Sequence, residues 1–228
     1  MSKAKKGFSL IEIGIVMIVI GILIAAVMKG KDVIKSAEIK QHNQTYLNKW
    51  VSVATTHYDK VGYNIGGSAT SGAIGTVDGS KDDNTSGDGA VVGCNDLITY
   101  AEKAGINLNN VILTNTDNPC QKTISGEYSG DVTVSVSLKN MTITTSEENA
   151  STRNMVLFTN VPGDIALSFD RLIDGQANPY AGKVVVLSAY TTAQADANMT
   201  ADDFNTTTTA LNDLNATDLH TVGVILEH

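Results

Sequence analysis

Residues 3–28 read KAKKGFSLIEIGIVMIVIGILIAAVM. From Phe8 to Met28 the only ionisable side chain is that of Glu12. At about 1.5 Å per residue, a helix over this run spans roughly 30 Å, which is the thickness of the hydrocarbon core of a bilayer. The sequence therefore predicts a membrane-length helix over 8–28. It carries a carboxylate near its start that lipid disfavours by about 3 kcal/mol.

Three interpretations of this N-terminal segment compete. A cleaved secretory signal peptide agrees with the basic start and with the small residues after the apolar run, but the run is longer than the usual signal core. A plain membrane anchor agrees with the length and with Lys3, Lys5 and Lys6, which would stay in the cytoplasm. Neither explains Glu12, so the third interpretation rests on that residue.

The stretch KGFSLIE, residues 6–12, resembles the processing site of type IV pilins and pseudopilins. It has a short basic leader, Gly7, Phe8, and a carboxylate four residues later at the head of an apolar helix. The resemblance implies cleavage between Gly7 and Phe8 by a prepilin peptidase, and N-methylation of Phe8. Many pilins have a proline near the end of the apolar run. This chain has VMKGK there, so a proline kink is not expected.

The same resemblance implies a structural subunit with no enzymatic activity and no cofactor. The subunit would wait in the bacterial inner membrane as a single-pass protein with its C-terminal domain in the periplasm. An assembly platform and an ATPase motor would then build it into a homopolymer, either an extracellular pilus or a periplasmic pseudopilus. Adhesion or motility would be the function of such a pilus.

The position of Glu12 has a physical explanation in such a polymer. Cleavage after Gly7 removes three lysines, so the net charge of −8 becomes more negative. It also leaves a cationic amine on Phe8 at a helix N-terminus, where the helix dipole adds positive charge. We hypothesise that Glu12 neutralises the Phe8 amine of an adjacent subunit and sets the axial stagger, because such pairing is strong where water is absent.

The helical pattern continues beyond the apolar run. Apolar residues recur at three- and four-residue steps from Val33 to Tyr58, and no proline occurs before Gly62, the predicted stop. The predicted organisation is a leader over 1–7, the transmembrane and assembly helix over 8–28, its amphipathic continuation over 29–60, and an extracytoplasmic domain over 61–228. The fold class is α+β, with the long helix packed against a mainly antiparallel sheet.

Several shorter elements are predicted within the domain. NDLITYAEKAG, residues 95–105, predicts a short helix capped by Asn95 or Asp96 and ended by Gly105. PGDIALSFDRLIDG, residues 162–175, predicts a second helix with Asp164 near its cap, followed by a return through a glycine into a strand. These two pieces also resemble the layout of pilin domains, which extends the resemblance to about Tyr190.

The strands are predicted from alternation of apolar and polar residues. Residues 131–138 alternate cleanly, and a tight turn at Lys139 and Asn140 predicts a hairpin into Met141 and Ile143. Further strands are predicted over 154–162, 182–190 and 220–226, while 191–218 reads as a surface excursion. Whether residues 226–228 are native or the remnant of an expression tag is left open.

Cys94 and Cys120 are the only cysteines. Outside the cytoplasm they are expected to form a disulfide, which would stabilise the fold by about 3 kcal/mol in the chain-entropy model. In a cytosolic chain, two buried thiols are the expected alternative. The net charge of −8 makes nucleic acid a poor partner for the domain.

Candidate metal and aromatic sites are weak. The loop over 61–92 is rich in Gly, Ser and Asp, and Asp82, Asp83 and Asp88 are weak calcium candidates that do not match the EF-hand spacing. A solvated loop is the favoured interpretation. The four histidines show no metal-ligand spacing. Tyr46 and Trp50 follow the long helix and are expected to pack the domain onto it.

Two alternative functions stay open from the sequence. A pseudopilin or minor pilin of a type II secretion or DNA-uptake system would share the same N-terminus. A single-pass membrane-anchored binding domain would keep its leader, or lose the helix to signal peptidase, and would form no polymer.

Overall fold

A computed structural model describes residues 9–67, 92–108, 112, 118–143, 151–175, 182–187 and 218–227. The chain divides into two compact units between residues 38 and 39. We call residues 9–38 the N-terminal unit and the described residues from Ile39 onward the C-terminal unit. The N-terminal unit is helical throughout from Leu10, whereas the C-terminal unit contains the sheet and the hydrophobic core.

The predicted long helix is confirmed over the described residues. Helix α1 covers Leu10–His42, a π-helical turn covers Asn43–Leu47, and helix α2 covers Asn48–Val61. Gly62 ends the run, with φ at 86° and its N–H donating to the Tyr58 carbonyl oxygen at 2.7 Å. This left-handed conformation is one that glycine adopts without a steric penalty, which is why the sequence places a glycine at the helix end.

The predicted α+β class with a mainly antiparallel sheet is also confirmed. Two further described helices are α3, Cys94–Lys103, and α4, Gly163–Asp174. Five described strands form one sheet in the order β1-β2-β3-β5-β4, with every adjacent pair antiparallel. They are β1, Gln121–Gly126; β2, Gly130–Ile143; β3, Ser151–Pro162; β4, Val184–Leu187; and β5, Leu219–Leu226.

The core lies between the helices and one face of the sheet. Tyr46, Phe158 and Phe169 bring the π-helical turn, β3 and α4 together, with ring centroids 6.4 Å apart for the first pair and 6.0 Å for the second. All three side chains are fully buried, and burying a large apolar side chain contributes roughly 1.5–3 kcal/mol. The opposite sheet face also carries buried apolar side chains, those of Met155, Leu157 and Val185.

The hairpin predicted at Lys139 and Asn140 is wrong, because β2 continues through both residues to Ile143. Asn140 lies on the inner face of the strand, where its Nδ2 donates to Oδ1 of Asn154 on β3 at 2.8 Å. Both side chains are buried. A buried amide with a cross-strand partner is compatible with a strand, whereas in the sequence the same asparagine resembles a turn residue.

The cap predicted for α3 is also wrong. The helix begins at Cys94 with Gly93 as its N-cap, and Leu97 N–H donates to the Gly93 carbonyl oxygen at 3.0 Å. Asn95 and Asp96 therefore lie within the first turn. Gly105 follows the helix with φ at 71°, which agrees with its predicted role as a terminator.

The helix over 162–175 and its return into a strand are confirmed. Gly175 ends α4 in the left-handed conformation, and Oδ2 of Asp174 accepts the N–H of Val184 at 2.9 Å as β4 begins. Asp164 lies in the first turn as expected, but its Oδ2 accepts the N–H of Glu127 from the β1–β2 turn instead of capping its own helix. The strand predicted over 182–190 is described only to residue 187. The loop predicted over 61–92 is described only at 61–67 and 92, and of the predicted surface excursion over 191–218 only residue 218 is described.

Candidate functional site

The described apolar part of the N-terminal unit is exposed on all sides. Between Leu10 and Met28 the exposed fraction of the large apolar side chains runs from 45% at Ile20 to 93% at Leu10. The helix is long and apolar enough to cross a membrane by length and composition, and none of its most apolar window is buried. Exposure of this much apolar surface to water is unfavourable, so the segment requires lipid or protein around it.

In the described part of the chain, the glycines of this helix have open space around them. A Cβ built at Gly14, Gly21 or Gly30 would meet no atom within 4 Å outside the local helix backbone. Contacts within this chain therefore do not require glycine at these positions. Small residues on an apolar helix allow the backbone of another helix to approach closely, although these three do not have GxxxG spacing.

Glu12 lies in the first turn of α1 and contacts the start of the helix. Its Oε2 accepts the N–H of Ser9 at 3.4 Å, while the Ser9 carbonyl oxygen accepts the N–H groups of Glu12 and Ile13 at 3.0 and 3.3 Å. This is the glutamate half of a capping box. The pattern Ser-x-x-Glu over 9–12 is the sequence signature of that motif, although capping was not among the roles predicted for Glu12. Gly7 and Phe8 lie outside the described residues.

Tyr46 and Trp50 of the long helical run pack against the domain that contains the sheet, as predicted. Tyr46 Oη donates to the Val134 carbonyl oxygen at 3.4 Å, and burial raises the pKa of this phenol well above its usual range. Trp50 Nε1 donates to the Pro119 carbonyl oxygen at 3.2 Å. Both side chains are fully buried. The second half of the helical run is therefore part of the core of the C-terminal unit.

The π-helical turn has an unusual polar neighbour in Lys122 of β1, which the sequence analysis did not single out. Its Nζ donates to Oγ1 of Thr45 at 3.0 Å and lies 5.9 Å from the ring centroid of Tyr46. Burial lowers the pKa of Lys122. Neither polar atom of the buried Asn43 amide has a hydrogen-bond partner in the described part of the chain. The two contacts of Lys122, with Thr45 and with Tyr46, attach the π-helical turn to β1 at the edge of the sheet.

The predicted disulfide between Cys94 and Cys120 is present, with a Cα–Cα distance of 5.7 Å. It joins the first residue of α3 to the residue before β1. Around it, the Cys120 N–H donates to Oδ1 of Asn118 at 2.9 Å, and the Cys120 carbonyl oxygen accepts the N–H of Val136 at 2.9 Å. The disulfide therefore ties α3 to the edge of β2.

The remaining candidate ligands do not form a site in the described ranges. The weak calcium candidates Asp82, Asp83 and Asp88 all lie outside them. Among the described residues, no group of three or more His, Cys, Asp or Glu side chains is placed to hold a metal ion. His57 on α2 is 2% exposed, and its Nδ1 lies 3.1 Å from the Tyr63 carbonyl oxygen. These contacts give His57 a role in packing.

Comparisons with known proteins find no matching family model, no matching curated protein and no matching solved structure. Two features of the chain itself bear on its function: the exposed apolar helix and the single carboxylate in its first turn.

Proposed function

We propose that this chain is a structural subunit of a type IV pilus-like filament. In this proposal a prepilin peptidase cleaves between Gly7 and Phe8, Phe8 is N-methylated, and the subunit polymerises through its N-terminal helix. The carrying observation is that α1 from Leu10 to Met28 is apolar and exposed on all sides while its first turn holds Glu12. A helix of this kind is suited first to lipid and then to a bundle of like helices.

The energetics of the proposed assembly follow from the helix surface. Moving the helix from lipid into a bundle of copies keeps its apolar surface away from water in both places, so the hydrophobic effect alone gives little net drive. Extraction therefore needs the assembly platform and ATPase motor that the resemblance implies. The contribution to assembly that favours one arrangement of subunits is electrostatic. A carboxylate in an apolar surrounding is stable only with a cationic or hydrogen-bonding partner.

The partner that we propose for Glu12 is the N-terminal amine of Phe8 on an adjacent subunit. Only cleavage after Gly7 creates that amine, so processing and assembly are coupled through one charge. Before assembly the subunit would be an inner-membrane protein with a periplasmic domain. The disulfide agrees with this compartment, because structural disulfides persist where the environment is oxidising.

One observation favours a second candidate, the single-pass membrane-anchored domain. Glu12 already accepts the Ser9 N–H within its own chain, so helix capping alone gives the carboxylate a role. A pseudopilin or minor pilin is a variant of the first proposal. Abundance in filaments sheared from the cell surface would separate a major pilin from a pseudopilin or a minor pilin.

The native N-terminus distinguishes the two candidates. We expect mass spectrometry of the protein from its own membranes to find a peptide that begins at methylated Phe8. A peptide that begins at Met1, or beyond Ala26, would exclude the filament proposal and support the anchor or a signal-peptidase substrate.

Substitution of Glu12 separates charge pairing from capping. Glu12→Gln keeps an oxygen that can accept the Ser9 N–H but removes the charge, whereas Glu12→Ala removes both. If Glu12 pairs with an amine, both variants should be processed normally and both should lose filaments, by roughly a hundredfold or more for a pair shielded from water. Sheared filament yield is the measurement. Normal filaments from Glu12→Gln would show that capping is the only role.

A further inference from the structure

Within the described helical run, the hydrogen-bond pattern departs from that of an α-helix at Asn43–Leu47. There the Asn48 N–H donates to the Asn43 carbonyl oxygen, five residues back instead of four. A π-helical turn of this kind holds one residue more than the α-helical turn that it replaces. One residue turns an α-helix by about 100°, so the extra residue changes the rotational phase between the side chains of α1 and those of α2 by about that angle.

Two buried polar groups at this turn lower the stability of the fold. Asn43 is 1% exposed, and its amide has no hydrogen-bond partner in the described part of the chain. Lys122 is 7% exposed, and no carboxylate of the described residues lies within 4.0 Å of its Nζ. Apolar residues of similar size at such positions are often as stable or more stable. The best-attested role of buried polar groups that lower stability is to fix the register of packed helices.

Among the described residues, the polar contacts of the Lys122 amine are with the π-helical turn. Its Nζ donates to Oγ1 of Thr45 at 3.0 Å and lies 5.9 Å from the ring centroid of Tyr46. Oγ1 of Thr45 in turn donates to the Gln41 carbonyl oxygen at 2.8 Å, four residues back. The Thr45 hydroxyl therefore joins Lys122 of β1 to the last turn of α1.

We propose that Lys122 is a positioning residue whose amine stabilises the π-helical form of 43–47 and so sets the rotational phase of α1. Without that hydrogen bond the run forms an uninterrupted α-helix, because π-helical hydrogen bonding is the rarer and less favourable pattern. The inference rests on the proposed filament function, in which side chains of α1 pack against helices of other copies. It adds a residue of the sheet that determines which side chains of α1 face a given neighbour.

Nuclear magnetic resonance of the full-length protein in detergent micelles tests the turn directly. In the wild type, scalar coupling across the hydrogen bond should join the Asn48 N–H to the Asn43 carbonyl carbon. In Lys122→Met and in Thr45→Val, the coupling should move to the Gln44 carbonyl carbon, four residues back. Thr45→Ser keeps a hydroxyl and should keep the wild-type coupling. Wild-type coupling in either Lys122→Met or Thr45→Val would overturn the role of Lys122.

The Lys122→Met variant should remain folded. Because methionine removes a buried charge that has no counter-ion, its urea midpoint should equal or exceed that of the wild type. The matched control is Lys139→Met, which removes another buried ammonium, 2% exposed and on β2 instead of β1. This control should keep the wild-type coupling at Asn48.

Filament yield tests the consequence for assembly. Lys122→Met should lower the yield of sheared filaments by at least roughly tenfold, since misfitted packing between helices is unfavourable. Deletion of Gln44, which is exposed, removes the residue that the π-helical turn holds in excess. In Lys122→Met that deletion gives α1 its wild-type phase within an α-helical run, so most of the yield should return.

The outcomes separate this inference from the filament proposal. Wild-type yield from Lys122→Met, with the Asn48 coupling moved to Gln44, would overturn the link between rotational phase and assembly. A wild-type chain with an unprocessed N-terminus and no filaments would instead overturn the filament proposal, while the coupling at Asn48 would still decide the role of Lys122.

Discussion

Residues 10–28 and 39–57 belong to one helical run, yet their side chains have opposite surroundings. In the first stretch every described side chain is exposed, including that of Ile18 at 66%. In the second, side chains at three- and four-residue steps are buried, and Trp50 donates to a carbonyl oxygen of Pro119, far along the chain. Local hydrogen bonds suffice to define a helix, but among the described residues only the second stretch is packed against other parts of the chain.

The largest difference in stability between the two stretches should be seen with Trp50→Ala. Loss of the fully buried ring and of its hydrogen bond should lower the free energy of unfolding of the C-terminal unit by about 3–5 kcal/mol. The matched change Ile18→Ala, in the exposed stretch, should alter it by less than about 0.5 kcal/mol. Urea unfolding of the full chain in detergent, followed by circular dichroism, measures both. A similar loss of unfolding free energy at both positions would contradict the difference between the buried and the exposed stretch.

A smaller effect should follow from opening the disulfide. Cys94→Ser with Cys120→Ser should lower the free energy of unfolding by about 3 kcal/mol, because the reduced chain gains entropy when unfolded. Thiol reduction of the wild-type protein should produce the same change in the urea midpoint. Since both cysteines lie in the C-terminal unit, the helicity of 10–28 should be unaffected. An unchanged midpoint after verified reduction would show that the disulfide adds no stability.

The smallest effect concerns His57, which packs on α2 within the buried stretch. Burial lowers its pKa below the usual value of 6.5, against the opposing effect of the hydrogen bond to Tyr63. The unfolded chain therefore binds the proton more tightly than the folded chain, and stability should fall as the pH drops through about 6.5.

The test compares wild type with His57→Gln. Between pH 7.5 and 5.5 the melting temperature of the wild-type protein should fall more than that of the variant. Parallel slopes would mean that His57 titrates alike in both states.

Some elements were readable from the sequence because their determinants are local. The long helix, its end at Gly62, the helix over 162–175 and the final strand all follow from periodicity and from glycine at the termini. The disulfide was predicted only for a domain outside the cytoplasm, since the count of two cysteines also allowed two buried thiols, and it is present. The Glu12 cap was readable too, since its signature, Ser-x-x-Glu, is four residues long and local.

The failures involved partners that are distant in sequence. Asn140 resembled a turn residue because its partner, Asn154, lies on another strand. The start of α3 was misplaced because Asn95 and Asp96 are good capping residues, while the helix begins at the disulfide-bonded Cys94. Lys122 was overlooked because nothing in β1 predicts that its amine meets Thr45 and Tyr46.

Four conclusions could be reached without coordinates: the membrane-length helix, its lone carboxylate, the α+β class and the proposal of a processed filament subunit. These depend on length, periodicity and residue chemistry, which are properties of short stretches. The contacts by which Tyr46, Trp50 and Lys122 attach the helix to the sheet arise only in the folded chain. Those arrangements depend on which distant segments become neighbours, and folding settles that by summing weak contacts over the whole unit.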